Sequence, residues 1–200
     1  MTKILQEKLP EPYHTLSRWI DHAILNSNYA FPAACVLSTI GLNGFPNARN
    51  VSLKEFRYPY LIITSSLNSV KAKEINQNSH VALTFWWESL RRQIRIQGVA
   101  SEIDDKDADR YFSERNKSSQ AVSSISEQSK PIAQFEVLKE TYETFLTANQ
   151  ERTIPRPNHW KGFKIEPIQL EFLEFEDSRF HRRVLYLQEK GNWIKSEIQP

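Results

Sequence analysis

The sequence predicts a mainly β fold with flanking helices, arranged as a closed or split β-barrel. Three observations lead there. Seven or eight strand-like stretches follow one another with short turns, as in an antiparallel meander. Helix and strand do not alternate in the doubly wound manner, and no Gly-rich dinucleotide fingerprint is present. The chain also carries 5 Trp, 7 Tyr and 11 Phe, enough aromatic surface for an ordered core.

Residues 1–12 read as a loose arm ending in Pro10-Glu11-Pro12. Leu16, Trp19, Ile20, Ala23 and Ile24 recur at helical spacing, and Asn26-Ser27-Asn28 stops that helix. Ala34 to Ile40 is a buried strand, and Asn43-Gly44 marks a hairpin into a second strand. Alternation there puts Arg49, Val51 and Leu53 on one face and Asn50, Ser52 and Lys54 on the other. Tyr60 to Thr64 is a third strand. After a hydroxyl-rich turn, Ser69 caps a short helix through Ile75. Lys71 falls in its first turn, an unfavourable place for a cation unless an anion is near.

Strands follow from His80 to Trp87 and from Arg92 to Ile103, and Asp104 and Asp105 then cap a helix reaching Tyr111 and Phe112. The stretch from Glu114 to Ser129, rich in Ser, Gln and Lys, has the composition of a flexible linker. Beyond Pro131 a long amphipathic helix turns Ile132, Phe135, Leu138, Tyr142, Phe145 and Leu146 to one side. Pro155 and Pro157 break the chain. The rest is β: Phe163 to Glu176, Arg179 to Gln188, and Trp193 to Ile198 after Gly191-Asn192. One domain over 1–200 is expected, with an N-terminal arm and helix at 1–30 and a C-terminal β-hairpin region at 162–200.

The balance of 26 basic and 24 acidic residues, a formal charge of +2, argues against wholesale nucleic-acid binding. No apolar run approaches the length of a membrane span, and residues 1–10 lack the apolar core of a secretory signal. Cys35, the only cysteine, sits among Ala33, Ala34, Val36 and Leu37 and reads as a buried, inert thiol. A reducing, cytoplasmic setting is expected. The five histidines are scattered, so no metal site is expected, and no Gly-x-Ser-x-Gly elbow is present.

Chemistry concentrates in Arg179-Phe180-His181-Arg182-Arg183. In a strand, Arg179, His181 and Arg183 would share one face, two fixed cations flanking a titratable ring, a set suited to a phosphorylated ligand. Arg49, Lys54, Lys71, Arg115 and the hydroxyls of Ser65, Ser119 and Ser129 are further phosphate-directed groups, dispersed along the chain. Without acid–base pairs or metal spacing, cofactor-borne redox chemistry becomes attractive.

From about Leu9 to Pro200 the sequence resembles the pyridoxine (pyridoxamine) 5'-phosphate oxidase family. The likeness rests on an ordered series: Arg49-Asn-Val-Ser-Leu-Lys54, Ser69-Val-Lys-Ala72, Arg92-Gln93, Tyr111-Phe-Ser-Glu-Arg115 and Ser119-Gln120. It continues through Gln128-Ser129, Arg179-Phe-His181-Arg-Arg183 and Trp193. Each piece is weak alone, and together they are specific. The resemblance implies an FMN-binding split barrel, a homodimer with FMN in two interfacial clefts. Arg49, Lys54, Thr64, Ser65, Lys71, Gln93, Gln128, Ser129 and Arg183 match the family's flavin contacts. Lys54, Tyr111, Arg115 and Ser119 match the groups that hold the substrate phosphate, and Arg179 and His181 match the pair that covers the substrate ring.

The implied reaction oxidises pyridoxamine or pyridoxine 5'-phosphate to pyridoxal 5'-phosphate, with hydride passing from C4' to the flavin and O2 yielding hydrogen peroxide. Arg179 is too basic to serve as a base and would orient substrate, whereas His181 could either orient it or move protons. Two departures from the family pattern stand out: Val70 where a second basic residue is usual, and Leu173 where a tryptophan is usual. The related phenazine-biosynthesis flavin oxidases and a non-catalytic FMN-binding barrel are the alternatives. Lys54 argues against the first, and Arg179 with His181 against the second.

Overall fold

The computed structural model describes residues 9–26 and 29–200. Residues 1–8 of the expected arm, and Ser27 and Asn28 of the expected helix stop, lie outside the described residues. The elements are α1 (Glu11–Asn26), β1 (Ala34–Ile40), β2 (Pro46–Arg57), β3 (Tyr60–Ser66), α2 (Val70–Gln77), β4 (His80–Trp87), β5 (Arg92–Glu102), α3 (Asp105–Ser113), α4 (Lys117–Ile125), α5 (Phe135–Ala148), β6 (Trp160–Glu174), β7 (Arg182–Glu189) and β8 (Asn192–Ile198).

The strands form one antiparallel sheet in the order β3-β2-β1-β4-β5-β6-β7-β8. A further pairing of β3 with β6 closes the first six strands into a barrel, so those strands lose their free edges. The 15-residue β6 makes both arrangements possible. Its first half pairs with β3 from Trp160 to Ile165, and its second half pairs with β7 from Gln169 to Glu174.

Leu37, Leu61, Ile63, Leu83, Phe85, Ile94, Ile96, Phe163 and Ile165 fill the barrel, and α1 adds Tyr13, Leu16, Trp19, Ile20 and Ala23. A second cluster forms outside it, where α3 lays Ala108, Tyr111 and Phe112 over Ile62 and Trp160. β3 is therefore buried on both faces, and its polar end at Thr64–Ser66 is held between two packed layers. Cys35 is 3% exposed, and burial pushes its thiol up to about 12. The folded protein should therefore leave an aromatic disulfide reagent unreacted at pH 8 and release one equivalent of thiolate on denaturation. Rapid labelling of the native chain would contradict the packing around β1.

Several sequence expectations are corrected. Pro12 does not lie in a loose arm, because α1 starts at Glu11 and Pro12 occupies its first turn, where a missing N–H costs nothing. The segment Glu114–Ser129 is not a linker: Asn116 caps α4 by accepting from the Ser119 N–H, and Gln120 and Ala121 are buried. Ile132 precedes α5, which starts at Phe135 and buries none of its residues. Arg179 and His181 do not lie in a strand, since β7 begins at Arg182 and Arg179 adopts a left-handed turn conformation with φ 62°. The shared strand face for Arg179, His181 and Arg183 is thus absent.

Candidate active site

A cleft of about 560 Å³ opens where β2, β3, α2, α3 and α4 meet. β2 contributes Asn50, Ser52 and Lys54, the outward face that strand alternation assigns. β3 contributes Thr64, Ser65 and Ser66, and the turn after it leads to Ser69. The Ser69 hydroxyl accepts from the Ala72 N–H and caps α2, which sets Lys71 into the cleft wall. α3 brings Tyr111, the segment after it brings Arg115, and Gln128 lies beyond α4. Seven of the sequence-selected residues thus meet here: Lys54, Thr64, Ser65, Lys71, Tyr111, Arg115 and Gln128. Ser129, at φ 72°, sits beside them, its hydroxyl 3.4 Å from the Val70 N–H.

The cations of this cleft differ in how they are compensated. Burial lowers the Lys71 ammonium from its usual range, and the Arg49 charge lowers it further. Arg115 is likewise lowered by burial; its guanidinium lies 4.9 Å from the centre of the Trp160 ring. A ligand anion would offset both desolvation costs. Lys54 instead pairs with Glu114 at 2.8 Å, and the Tyr111 hydroxyl donates to Glu55. Burial raises the Tyr111 phenol, and the bond to Glu55 raises it further.

Arg49 does not line the cleft. It donates to the Thr39 hydroxyl and to Glu74 at 2.9 Å. Glu74 is fully buried and also accepts from Asn47 and Thr39. Burial alone would raise its carboxyl; the hydrogen bonds from Thr39 and Asn47 and the Arg49 charge outweigh that and hold it below the usual range. Ser119 sits in the first turn of α4, also outside the lining.

A second group assembles elsewhere. Gln93, Leu173 and Arg183 stand side by side across β5, β6 and β7 as direct cross-strand partners, with Trp86 next in the row on β4. Arg183 is fixed by Glu171 at 2.8 Å and by the Gln199 carbonyl at 3.0 Å, and Arg95 also pairs with Glu171. The β6–β7 turn at one end of this row carries Arg179 and His181. The His181 ring lies tilted against Phe175, 4.7 Å between ring centres, and its Nδ1 accepts from the Glu176 N–H at 3.2 Å. That bond leaves Nε2 as the proton-bearing nitrogen of the neutral ring. None of these residues lines the cleft within the chain.

Sequence reasoning passed over Trp160, Glu55, Glu74 and Glu114. Trp160 follows a proline-rich break and gave no periodic signal, and the three acids resemble ordinary surface charges until their partners are placed. Among the described residues no three His, Cys, Asp or Glu side chains gather to hold a metal ion. No helix among them is long and apolar enough to cross a membrane.

Comparison with known proteins places these features in a family. Residues 26–148 match the family described as pyridoxamine 5'-phosphate oxidase, and residues 160–200 match the pyridoxine 5'-phosphate oxidase C-terminal dimerisation region. The chain is 35% identical over 190 residues to pyridoxine/pyridoxamine 5'-phosphate oxidase from Idiomarina loihiensis, covering 95% of this chain and 90% of that one. It is also 35% identical to the protein of that name from Trichormus variabilis, covering 94% and 88%. Among solved structures, PhzG from Burkholderia lata in complex with tetrahydrophenazine-1-carboxylic acid superposes with TM-score 0.90 at 25% identity, covering 100% and 98%. A pyridoxamine 5'-phosphate oxidase-related FMN-binding protein from Nostoc punctiforme shares the fold, with TM-score 0.80 at 18% identity and coverage of 96% and 100%. Two family matches spanning both the cleft and the β6–β8 region, with relatives aligned over nearly the whole length, establish that the chain belongs to the pyridoxamine 5'-phosphate oxidase family.

Proposed function

We propose that the protein is an FMN-dependent oxidase that converts pyridoxamine or pyridoxine 5'-phosphate to pyridoxal 5'-phosphate. The observation that carries this reading is the cleft itself, which gathers two separately placed, poorly compensated cations, Lys71 and Arg115, in one space. Two phosphates, one from the cofactor and one from the substrate, suit that arrangement. The donor set fits FMN: Lys71, Thr64 and Ser65 offer a cation and hydroxyls to its phosphate and ribityl chain, and Gln128 offers an amide. FMN, when bound, would supply the acceptor for hydride from C4' and return the electrons to O2 as hydrogen peroxide; the alcohol also gives up its hydroxyl proton, and the amine leaves an imine that water hydrolyses with release of ammonia. Lys54, Tyr111 and Arg115 would anchor the substrate phosphate, with Ser119, outside the lining, joining them only on the strength of the family resemblance, and that remote anchor fixes the reacting carbon in attack range.

Gln93, Arg183, Arg179 and His181 enter the reading through assembly. They lie off the cleft of their own chain, so a complete site calls for a second copy presenting its β5–β6–β7 face. The match of residues 160–200 to a dimerisation region supports this. A homodimer with FMN between subunits follows, and light scattering of the FMN-loaded protein should give twice the 23.4 kDa chain mass. A flavin-loaded monomer would refute the assembly. Arg179 and His181 then face the substrate ring, so replacing either should lower turnover while FMN stays bound. If His181→Asn releases FMN yet spares turnover after reconstitution, the assignment fails.

The function is tested by the absorption spectrum of the purified protein, followed by pyridoxamine 5'-phosphate without oxygen. The flavin band should bleach, then return with hydrogen peroxide when air is admitted. The likeness to PhzG, solved with tetrahydrophenazine-1-carboxylic acid, favours a partly reduced tricyclic carboxylate of that kind as the substrate in a second reading. Bleaching by such a compound, with none by pyridoxamine 5'-phosphate, would select it.

A further inference from the structure

The groups that the proposed function directs at the substrate phosphate are not equally free. Arg115 rests on Trp160 with no carboxylate among its contacts. Lys54 and Tyr111 are each engaged by an acid. The Lys54 ammonium lies 2.8 Å from a Glu114 carboxylate oxygen, with the two side chains 30% and 43% exposed. Tyr111 donates to Glu55. Arg110 ties the two acids together, donating to Glu55 at 2.8 Å and to Glu114 at 3.2 Å, with Asp107 a third partner at 3.3 Å.

The position of Glu114 follows from the local fold. α3 ends at Ser113, and Glu114 is its C-cap residue, next to Arg115 in sequence. Lys54 projects from the outward face of β2 toward the same corner, so the turn that delivers Arg115 to the cleft also delivers a carboxylate to Lys54. The bond from Lys54 holds the Glu114 carboxyl below its usual range, so it is ionised throughout the neutral region.

We infer that Glu114 is a specificity-determining residue that competes with a substrate phosphate for Lys54, so that the phosphate must displace it to bind. This rests on the phosphate-site reading above. A phosphate near neutral pH carries close to two charges and three acceptor oxygens, so it outcompetes a single carboxylate for the ammonium; a neutral hydroxymethyl group does not. The displaced carboxylate keeps Arg110 as a partner and stays close enough to repel the bound dianion. Glu114 therefore weakens the hold on phosphorylated ligands and, because the product carries the same phosphate, favours its release.

The test uses FMN-loaded protein and the unreactive ligands 4-deoxypyridoxine 5'-phosphate and 4-deoxypyridoxine, titrated by calorimetry. Glu114→Gln keeps the side-chain shape and removes the charge. It should bind the phosphorylated ligand about threefold to thirtyfold more tightly than wild type. The unphosphorylated ligand should bind as in wild type. Glu114→Ala, if its melting temperature matches wild type, should give the same sign. Unchanged or weaker binding of the phosphorylated ligand in both variants overturns the inference and shows instead that Glu114 positions Lys54. Equal tightening of both ligands also overturns it. If wild type itself binds the two ligands equally, the phosphate-site reading has failed, and that result is visible before any variant is compared.

Discussion

Replacing Arg115 by alanine should raise the KM for pyridoxamine 5'-phosphate by about tenfold to a hundredfold and leave FMN bound. The charge-assisted hydrogen bonds that a guanidinium makes to a phosphate contribute roughly 1.5–3 kcal/mol. Arg115 should sit at the upper end, because no carboxylate engages it, whereas Lys54 pairs with Glu114. Its half-buried setting is already paid for in the fold, as the lowered basicity shows. The substitution also removes the stacking on Trp160, a contact of about 0.5–1 kcal/mol, so a small fall in melting temperature should accompany it. The control is unphosphorylated pyridoxamine, which cannot use the guanidinium and should show little change. Equal loss with both substrates would mean that Arg115 supports the Trp160 packing and does not hold phosphate. Lys54→Ala should have a smaller effect, because Glu114 already engages the ammonium and part of what it offers a phosphate goes into displacing that carboxylate.

What the sequence revealed, and what it concealed, divides along local and long-range physics. The outward row Asn50, Ser52 and Lys54 could be read from alternation alone, and all three line the cleft. Ser69 and Asp104 could be read as helix caps because a cap is a contact between residues three apart. The helix Lys117–Ile125 was hidden because its Ser-rich sequence has weak intrinsic preference. Tertiary contacts decide it: the Gln120 amide donates to the Phe112 carbonyl at 2.9 Å in a buried setting. Arg179 and His181 read as strand from sequence because their neighbours are strand-like; a positive φ in a turn leaves no mark at an arginine. Glu74 carried no signal at all. Its three partners, Thr39, Asn47 and Arg49, lie 25 to 35 residues earlier and meet it only after α2 packs on the barrel. The same holds for the site as a whole. Motif order named its residues and the family resemblance implied two subunits, but the division into a cleft set and a sheet-face set came only from the topology.

That topology depends on one position more than its composition suggests. Gly162 on β6 pairs with Thr64 on β3, inside the ladder that closes the barrel. A Cβ there would lie 2.2 Å from the Ile63 carbonyl oxygen and 2.9 Å from the Thr64 Cα. Both are backbone atoms of a strand buried on both faces, so neither can turn aside as a flexible side chain would. Gly162→Ala should therefore force β3 and β6 apart and cost about 3 kcal/mol, net of the few tenths gained by restricting the unfolded chain. For a chain of this size that corresponds to a fall in melting temperature of about 6–12 °C. The same displacement moves Thr64 and Ser65, so FMN should bind more weakly even where the variant remains folded. Gly44→Ala is the comparison. Its Cβ would meet open space, but φ is +84°, so the cost there is backbone strain of about 1–2 kcal/mol with no steric contribution. Melting curves and FMN titrations of both variants separate the effects: Gly162→Ala should lose more stability than Gly44→Ala and alone lose flavin affinity. A Gly162→Ala protein no less stable than Gly44→Ala, with FMN affinity intact, would show that the β3–β6 seam can part without disturbing the cleft, and that the barrel closure does not position Thr64 and Ser65.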